Sequence, residues 1–185
     1  MTNNNIYFIA NWKMFGSVKL VNSLNNVISY SKKNKHKAKI VYCPPYTLLK
    51  SFVDKTKNSN IEIGAQDCHI NSDYGPYTGA ISSKMIKDLG AKFVIIGHSE
   101  TREENDNKKI NLKIKSALNK KLNVIFCIGE KLIDKKKNKT KFVLKKQLLE
   151  GLKNLNKLNK VIIAYEPVWS IGTGIIPTEH NLIKN

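Results

Sequence analysis

Arginine is nearly absent from this 185-residue chain: Arg102 is the single one, against 31 lysines and only 14 Asp and Glu, for a formal net charge of +18. Surfaces that read base edges or grip phosphates in a planar, two-pronged way lean on arginine, whereas lysine is a flexible, well-hydrated point charge. The positive excess therefore fits a solvated outer face better than a nucleic-acid interface. Cysteine is scarce as well. Cys43, Cys68 and Cys127 are an odd number at wide spacing with no C-x-x-C, which argues against a disulfide framework and fits a reducing cytoplasm. No run approaches eighteen apolar residues, and Met1-Thr2-Asn3-Asn4-Asn5 lacks the basic and apolar regions of a signal peptide. A soluble, unexported protein with no membrane partner is expected. Linker-like composition shifts are also lacking, and 41% hydrophobic content suffices for a core, so one domain over residues 1–185 is expected.

What the chain does have is a regular succession of short β-branched runs, at residues 6–10, 40–42, 61–65, 93–97, 123–128 and 161–165. These are continuous apolar stretches, not alternating ones, as parallel strands buried on both faces require. Between them lie segments with helical spacing, such as Leu20, Leu24, Val27 and Ile28, or Ile110, Ile114, Ala117 and Leu118; others run over 82–89 and 141–152. The lysine run Lys135-Lys136-Lys137 reads as a solvated loop before a helix. Strand alternating with helix predicts an α/β fold with right-handed crossovers, and periodicity alone leaves open whether the sheet is doubly wound or closed into a barrel.

Polar residues gather directly after the strands, where α/β proteins place their chemistry. They are Asn11-Trp12-Lys13, Gln66-Asp67-Cys68-His69, Gly97-His98-Ser99-Glu100, Gly129-Glu130 and Glu166-Pro167-Val168-Trp169-Ser170-Ile171-Gly172-Thr173-Gly174. Parallel strands would put all five groups on one rim. A lysine, a histidine and a glutamate there supply a cation, a hydrogen-bond donor and a carboxylate base, the set needed to move a proton beside a carbonyl. Taken singly, each reads differently: Lys13 as one more surface lysine, His98 as a structural histidine, Glu166 as the start of a turn. The loop after Glu166 has the composition of a hinged lid, stiffened by Pro167, freed by Gly172 and Gly174, and carrying apolar Trp169 and Ile171 to exclude water. Cys43, Cys68, Cys127 and His98 all follow strands, but no two have close metal-ligand spacing, and no metal is expected.

Six motifs, in order, resemble the triosephosphate isomerase family: Asn11-Trp12-Lys13-Met14, Gly64-Ala65-Gln66-Asp67, Tyr77-Thr78-Gly79, Gly97-His98-Ser99-Glu100, Cys127-Ile128-Gly129-Glu130 and the run from Tyr165 to Gly174. The resemblance implies a (β/α)8 barrel that interconverts dihydroxyacetone phosphate and D-glyceraldehyde 3-phosphate in glycolysis and gluconeogenesis, cytoplasmic, homodimeric and without cofactor. Carried over by position, it makes Glu166 the base, His98 the neutral electrophile, and Lys13 with Asn11 the partners of the substrate oxygens. Gly172 would offer its backbone N–H to the phosphate, while Glu100, Arg102 and Glu130 would support the site or its interface. Barrels of this kind run to about 250 residues. The 185 residues here imply about six of eight βα units, a C-terminally truncated barrel domain lacking the loops that bring a phosphate-binding serine and glycine pair. At the expected dimer loop the family pattern Gly-Ala-Phe-Thr-Gly-Glu reads Gly75-Pro76-Tyr77-Thr78-Gly79-Ala80, and Thr101 replaces the first of two usual arginines. Two competing functions stand beside the isomerase: a catalytically dead remnant of it, and, ranked last, a basic nucleic-acid-binding module.

Overall fold

A computed structural model describes residues 6–34 and 38–179 of the chain. Six parallel strands form one sheet in the order of the sequence: β1 (Tyr7–Asn11), β2 (Lys39–Cys43), β3 (Ile61–Ala65), β4 (Phe93–Ile96), β5 (Asn123–Ile128) and β6 (Val161–Tyr165). A doubly wound sheet places its first strand in the interior and reverses direction there. Strictly consecutive order is instead that of a barrel wall, and six strands make a partial one. Among the described residues β1 and β6 do not pair with each other, so each leaves one edge unpartnered.

The two faces of the sheet alternate as the pleat requires. In β4, Phe93 and Ile95 point inward to join Val41, Cys43, Ile125 and Cys127, while Val94 and Ile96 point outward to the helices. Central strands are thus buried on both sides, which is why their sequence is continuously apolar. Edge strands are not. Phe8 of β1 is 62% exposed, and Ile163 of β6 is exposed as well.

The outer layer contains α1 (Leu24–Lys33), α2 (Tyr46–Thr56), α3 (Ser83–Asp88), α4 (Asn107–Asn119), α5 (Leu132–Lys136) and α6 (Thr140–Gly151). Ser82 caps α3 by accepting a hydrogen bond from the Met85 N–H at 3.2 Å, and Asp106 caps α4 through the Lys109 N–H at 2.7 Å, each satisfying an otherwise orphaned donor. Ile110, Ile114, Ala117 and Leu118 of α4 are buried, as their spacing predicts. Boundaries shift by about a residue in several elements, β2 and β4 among them, and three differences from the sequence reading stand out. β1 ends one residue later, taking Asn11 into the strand; α2 begins directly after Pro44-Pro45, which masked it; and the expected lysine loop is partly helical, with Lys135 and Lys136 in α5. Among the described residues no helix is long and apolar enough to cross a membrane.

Candidate active site

Asn11 closes β1 and shapes the turn that follows. Its Oδ1 accepts the Lys13 N–H at 2.9 Å, and Lys13 takes a left-handed backbone conformation with φ of 51°. For a residue with a Cβ this costs about 1–2 kcal/mol. Gln66, directly after β3, braces the turn by donating Nε2 to the carbonyls of Lys13 (2.8 Å) and Cys43 (2.9 Å). The lysine ammonium then reaches Glu100, Nζ to Oε1 at 2.8 Å.

His98 follows Gly97 at the end of β4 and is 6% exposed. Its Nδ1 accepts the backbone N–H of Glu100 at 3.2 Å. A ring nitrogen that accepts is unprotonated, so the imidazole is the neutral tautomer carrying its proton on Nε2. That Nε2 lies 3.4 Å from Oε2 of Glu166, a buried oxygen with no hydrogen-bond partner. A neutral N–H donor and a carboxylate oxygen thus face one space, with the Lys13–Glu100 ion pair on the other side of the ring.

Glu166 is placed by the β5–β6 pairing, which its own N–H extends by donating to the Ile128 carbonyl at 2.8 Å. The strand ends approach so closely that a Cβ on Gly129 would sit 1.9 Å from the Glu166 carbonyl oxygen. Next to it, Glu130 is 1% exposed and accepts from Trp169 Nε1 at 2.7 Å and Tyr165 Oη at 3.1 Å. The Lys135 ammonium lies 3.2 Å from the Trp169 ring centroid, a cation–π contact. One end of the segment from Pro167 to Gly174 is therefore anchored. Its far end holds Gly172 and Gly174 at φ of 70° and 72°, both exposed.

Lys13, His98 and Glu166 come together on the rim at the C-terminal ends of the strands, with Asn11 and Glu100; Gly172 does not reach them. Glu100 touches both Lys13 and His98, a more direct place than a supporting charge. Arg102 spans two separate acceptors, Nη1 to Asn107 Oδ1 and Nη2 to the Cys127 carbonyl, both at 2.9 Å; its planar fork ties the start of α4 to the end of β5. Three contributors had no such role in the sequence reading: Gln66 and Gly129, noted only for their places after strands and in the motifs, act as brace and as point of close approach, and Lys135, read as part of a solvated loop, lies on the tryptophan. Gln66 had a signal, its position directly after a strand. Tyr77 and Thr78 lie on an exposed loop where the Tyr77 ring leans on His69 at 4.6 Å between centroids.

All three thiols are buried and free. Burial pushes Cys43 and Cys68 up to about 12, and Cys127 is pushed up by burial first and then by the neighbouring Glu166 carboxylate. They stay protonated, unsuited to nucleophilic or metal-binding roles. Among the described residues no three His, Cys, Asp or Glu side chains cluster in a way that would hold a metal ion.

Comparison with known proteins bears on this geometry. The family profile described as triosephosphate isomerase matches residues 6–184. Triosephosphate isomerase of Dictyoglomus thermophilum is 45% identical over 169 residues, 89% of this chain and 68% of that protein. The enzyme of Wolbachia pipientis wMel is 41% identical over 180 residues, 95% of this chain and 69% of the relative. A crystal structure of triosephosphate isomerase from Bartonella henselae superposes with a TM-score of 0.82 at 36% identity, covering 89% of this chain and 69% of that one. Matching wall, matching strand order and a profile that spans nearly the whole sequence agree: the chain belongs to the triosephosphate isomerase family.

Proposed function

We propose that this chain supplies the catalytic residues of an isomerase interconverting dihydroxyacetone phosphate and D-glyceraldehyde 3-phosphate, serving glycolysis and gluconeogenesis in the cytoplasm as one domain over residues 1–185. The observation that carries the reading is the 3.4 Å approach of His98 Nε2 to Glu166 Oε2 beside the Lys13 ammonium. Glu166 takes a proton from the carbon bearing the hydroxyl, while the His98 Nε2–H hydrogen-bonds to the carbonyl oxygen of the neighbouring carbon. Electrons move into that carbonyl and an enediolate forms, its charge offset by Lys13. His98 gives its proton to the former carbonyl oxygen and takes one from the other hydroxyl. Glu166 then returns the proton to the adjacent carbon, leaving enzyme unchanged and carbonyl shifted by one position. Asn11 orients the substrate oxygens, and the Gly172 N–H meets the phosphate when the lid closes. A homodimer through the loop around Tyr77 and Thr78 belongs to the same reading.

One observation favours a second reading, that of a noncatalytic remnant: among the described residues β1 and β6 each leave one edge unpaired. Both readings meet in one experiment. The 185-residue polypeptide is compared, in a coupled isomerase assay, with a version extended by the last two βα units of the Dictyoglomus relative. The extended protein is expected to turn over, and Glu166→Gln to lower its kcat by about 10³-fold or more. The shorter polypeptide is expected to be slower on the order of 10³-fold, for want of two or three charge-assisted bonds to the phosphate. An extended, folded protein without turnover establishes the remnant; turnover indifferent to Glu166→Gln overturns the residue assignment.

A further inference from the structure

Helix α6 turns two large hydrophobic side chains toward water. Its buried positions are Thr140, Leu144, Gln147 and Gly151, which at about 100° per residue form one stripe facing the sheet. Phe142 and Leu149, seven residues apart, fall on the opposite side and are 68% and 64% exposed. Both flanks of the helix are otherwise occupied in kind. Glu150 accepts from Asn107 Nδ2 at 2.8 Å on the side facing α4, while Leu148 and Leu152, partly buried against the core, mark the other flank. A further helix added to the outer layer would lie along that second flank. The outward ridge of Phe142 and Leu149 is explained by neither.

The ridge is framed in lysine. Lys141, Lys145 and Lys146 are exposed on the helix itself, and Lys136, Lys137 and Lys139 are exposed just before it, beside exposed Leu132 and Ile133. From residue 131 to 149 the only acid is Asp134, and its carboxylate accepts the Lys131 N–H at 3.2 Å.

We propose that this ridge is a docking surface for an anionic lipid bilayer, with Phe142 and Leu149 entering the boundary between headgroups and acyl chains and the lysines meeting lipid phosphates. The apolar pair selects lipid over RNA or polyphosphate, which match the lysines but offer no hydrocarbon. Arginine scarcity points the same way, since Arg102, the only one, is committed to Asn107 and Cys127. A second copy of the chain is a poor occupant of this face, because the exposed Lys141, Lys145 and Lys146 of one ridge would meet the same lysines of the other. Lying on a bilayer needs no spanning helix, so the surface departs from the sequence expectation of no membrane partner without requiring a transmembrane segment. Its residues take no part in the rim chemistry, and the proposal does not rest on the isomerase reading.

The test is co-sedimentation of the full chain with vesicles of phosphatidylcholine alone and with phosphatidylserine mixed in. Binding is expected only with phosphatidylserine. Phe142→Ser with Leu149→Ser should weaken it about tenfold at unchanged net charge, and Lys141→Gln, Lys145→Gln and Lys146→Gln together on the order of 100-fold, about fivefold per lysine. Circular dichroism verifies that each variant is folded. A control with Lys19, Lys32 and Lys33 changed to Gln carries the same charge loss elsewhere and should bind much more strongly than the α6 lysine variant. Equal losses in the two lysine variants, undiminished binding by the Phe142/Leu149 variant, equal binding to both vesicle types, or no binding at low salt overturns the proposal. So does binding to RNA or polyphosphate that exceeds binding to the mixed vesicles.

Discussion

Glu130 is the residue that anchors the start of the segment after β6. Its carboxylate is buried and satisfied by the Trp169 indole N–H and the Tyr165 hydroxyl, so removing it leaves buried donors without their charged acceptor. Glu130→Ala is expected to lower the unfolding free energy in urea by about 3 kcal/mol, and to red-shift the Trp169 emission as the ring leaves its site. Glu130→Gln keeps an acceptor and should lose about half as much. Unchanged emission in the Ala variant would show that Lys135 and local packing hold the tryptophan unaided. Lys13, His98 and Glu166 were legible in the sequence because each follows a strand within two residues, so position alone put them on one rim. Gln66 holding Lys13 was not: the partners are 53 residues apart, and the bond depends on a left-handed turn that the sequence does not announce. Lys135 was hidden for the opposite reason, since in a run of three lysines nothing distinguishes the one that meets a ring.

At the scale of elements, the decisive contact is the joint between the ends of β5 and β6. Gly129 lets the backbone of Glu166 approach where any side chain would collide with a carbonyl oxygen. Two backbone bonds, Glu166 N–H to Ile128 and Val168 N–H to Glu130, stitch the strands on either side of it. Gly129→Ala therefore has no flexible atom to push aside. It is expected to displace Glu166 and to cut activity in the extended protein by about 10²-fold or more, beyond a stability loss of about 1–3 kcal/mol measured in urea. Turnover that falls no further than the folded fraction would mean that the joint relaxes without moving the carboxylate. The strands themselves were readable within about a residue or two because their apolar runs are bounded by polar ends. α2 was not, because Pro44-Pro45 reads as a break while in the fold Pro45 stands just ahead of the first turn, where a missing N–H costs nothing.

The molecule as a whole keeps three thiols in a dry interior, and this sets its limit in alkali. Burial raises Cys43 and Cys68 to about 12 from an ordinary 9.0. The folded chain thus retains protons that the unfolded chain releases above pH 9.0; the stabilisation is complete below that pH and is lost as pH rises toward about 12. Each thiol contributes a slope of about 1.4 kcal/mol per pH unit in that window. Urea denaturation between about pH 8 and pH 11 should show the decline, and Cys43→Ala should flatten it by one thiol's share; identical slopes would assign the alkaline loss to other groups. The sequential order of the sheet also governs how the chain assembles as it is made. Each strand after the first finds its partner already laid down, so no unit must wait for one still inside the ribosome. Among the described residues the free side of β1 is the exception: this strand is laid down before the other five and its outer edge pairs with none of them, Phe8 outward. Of these six strands it offers chaperones and neighbouring nascent chains the longest opportunity to bind.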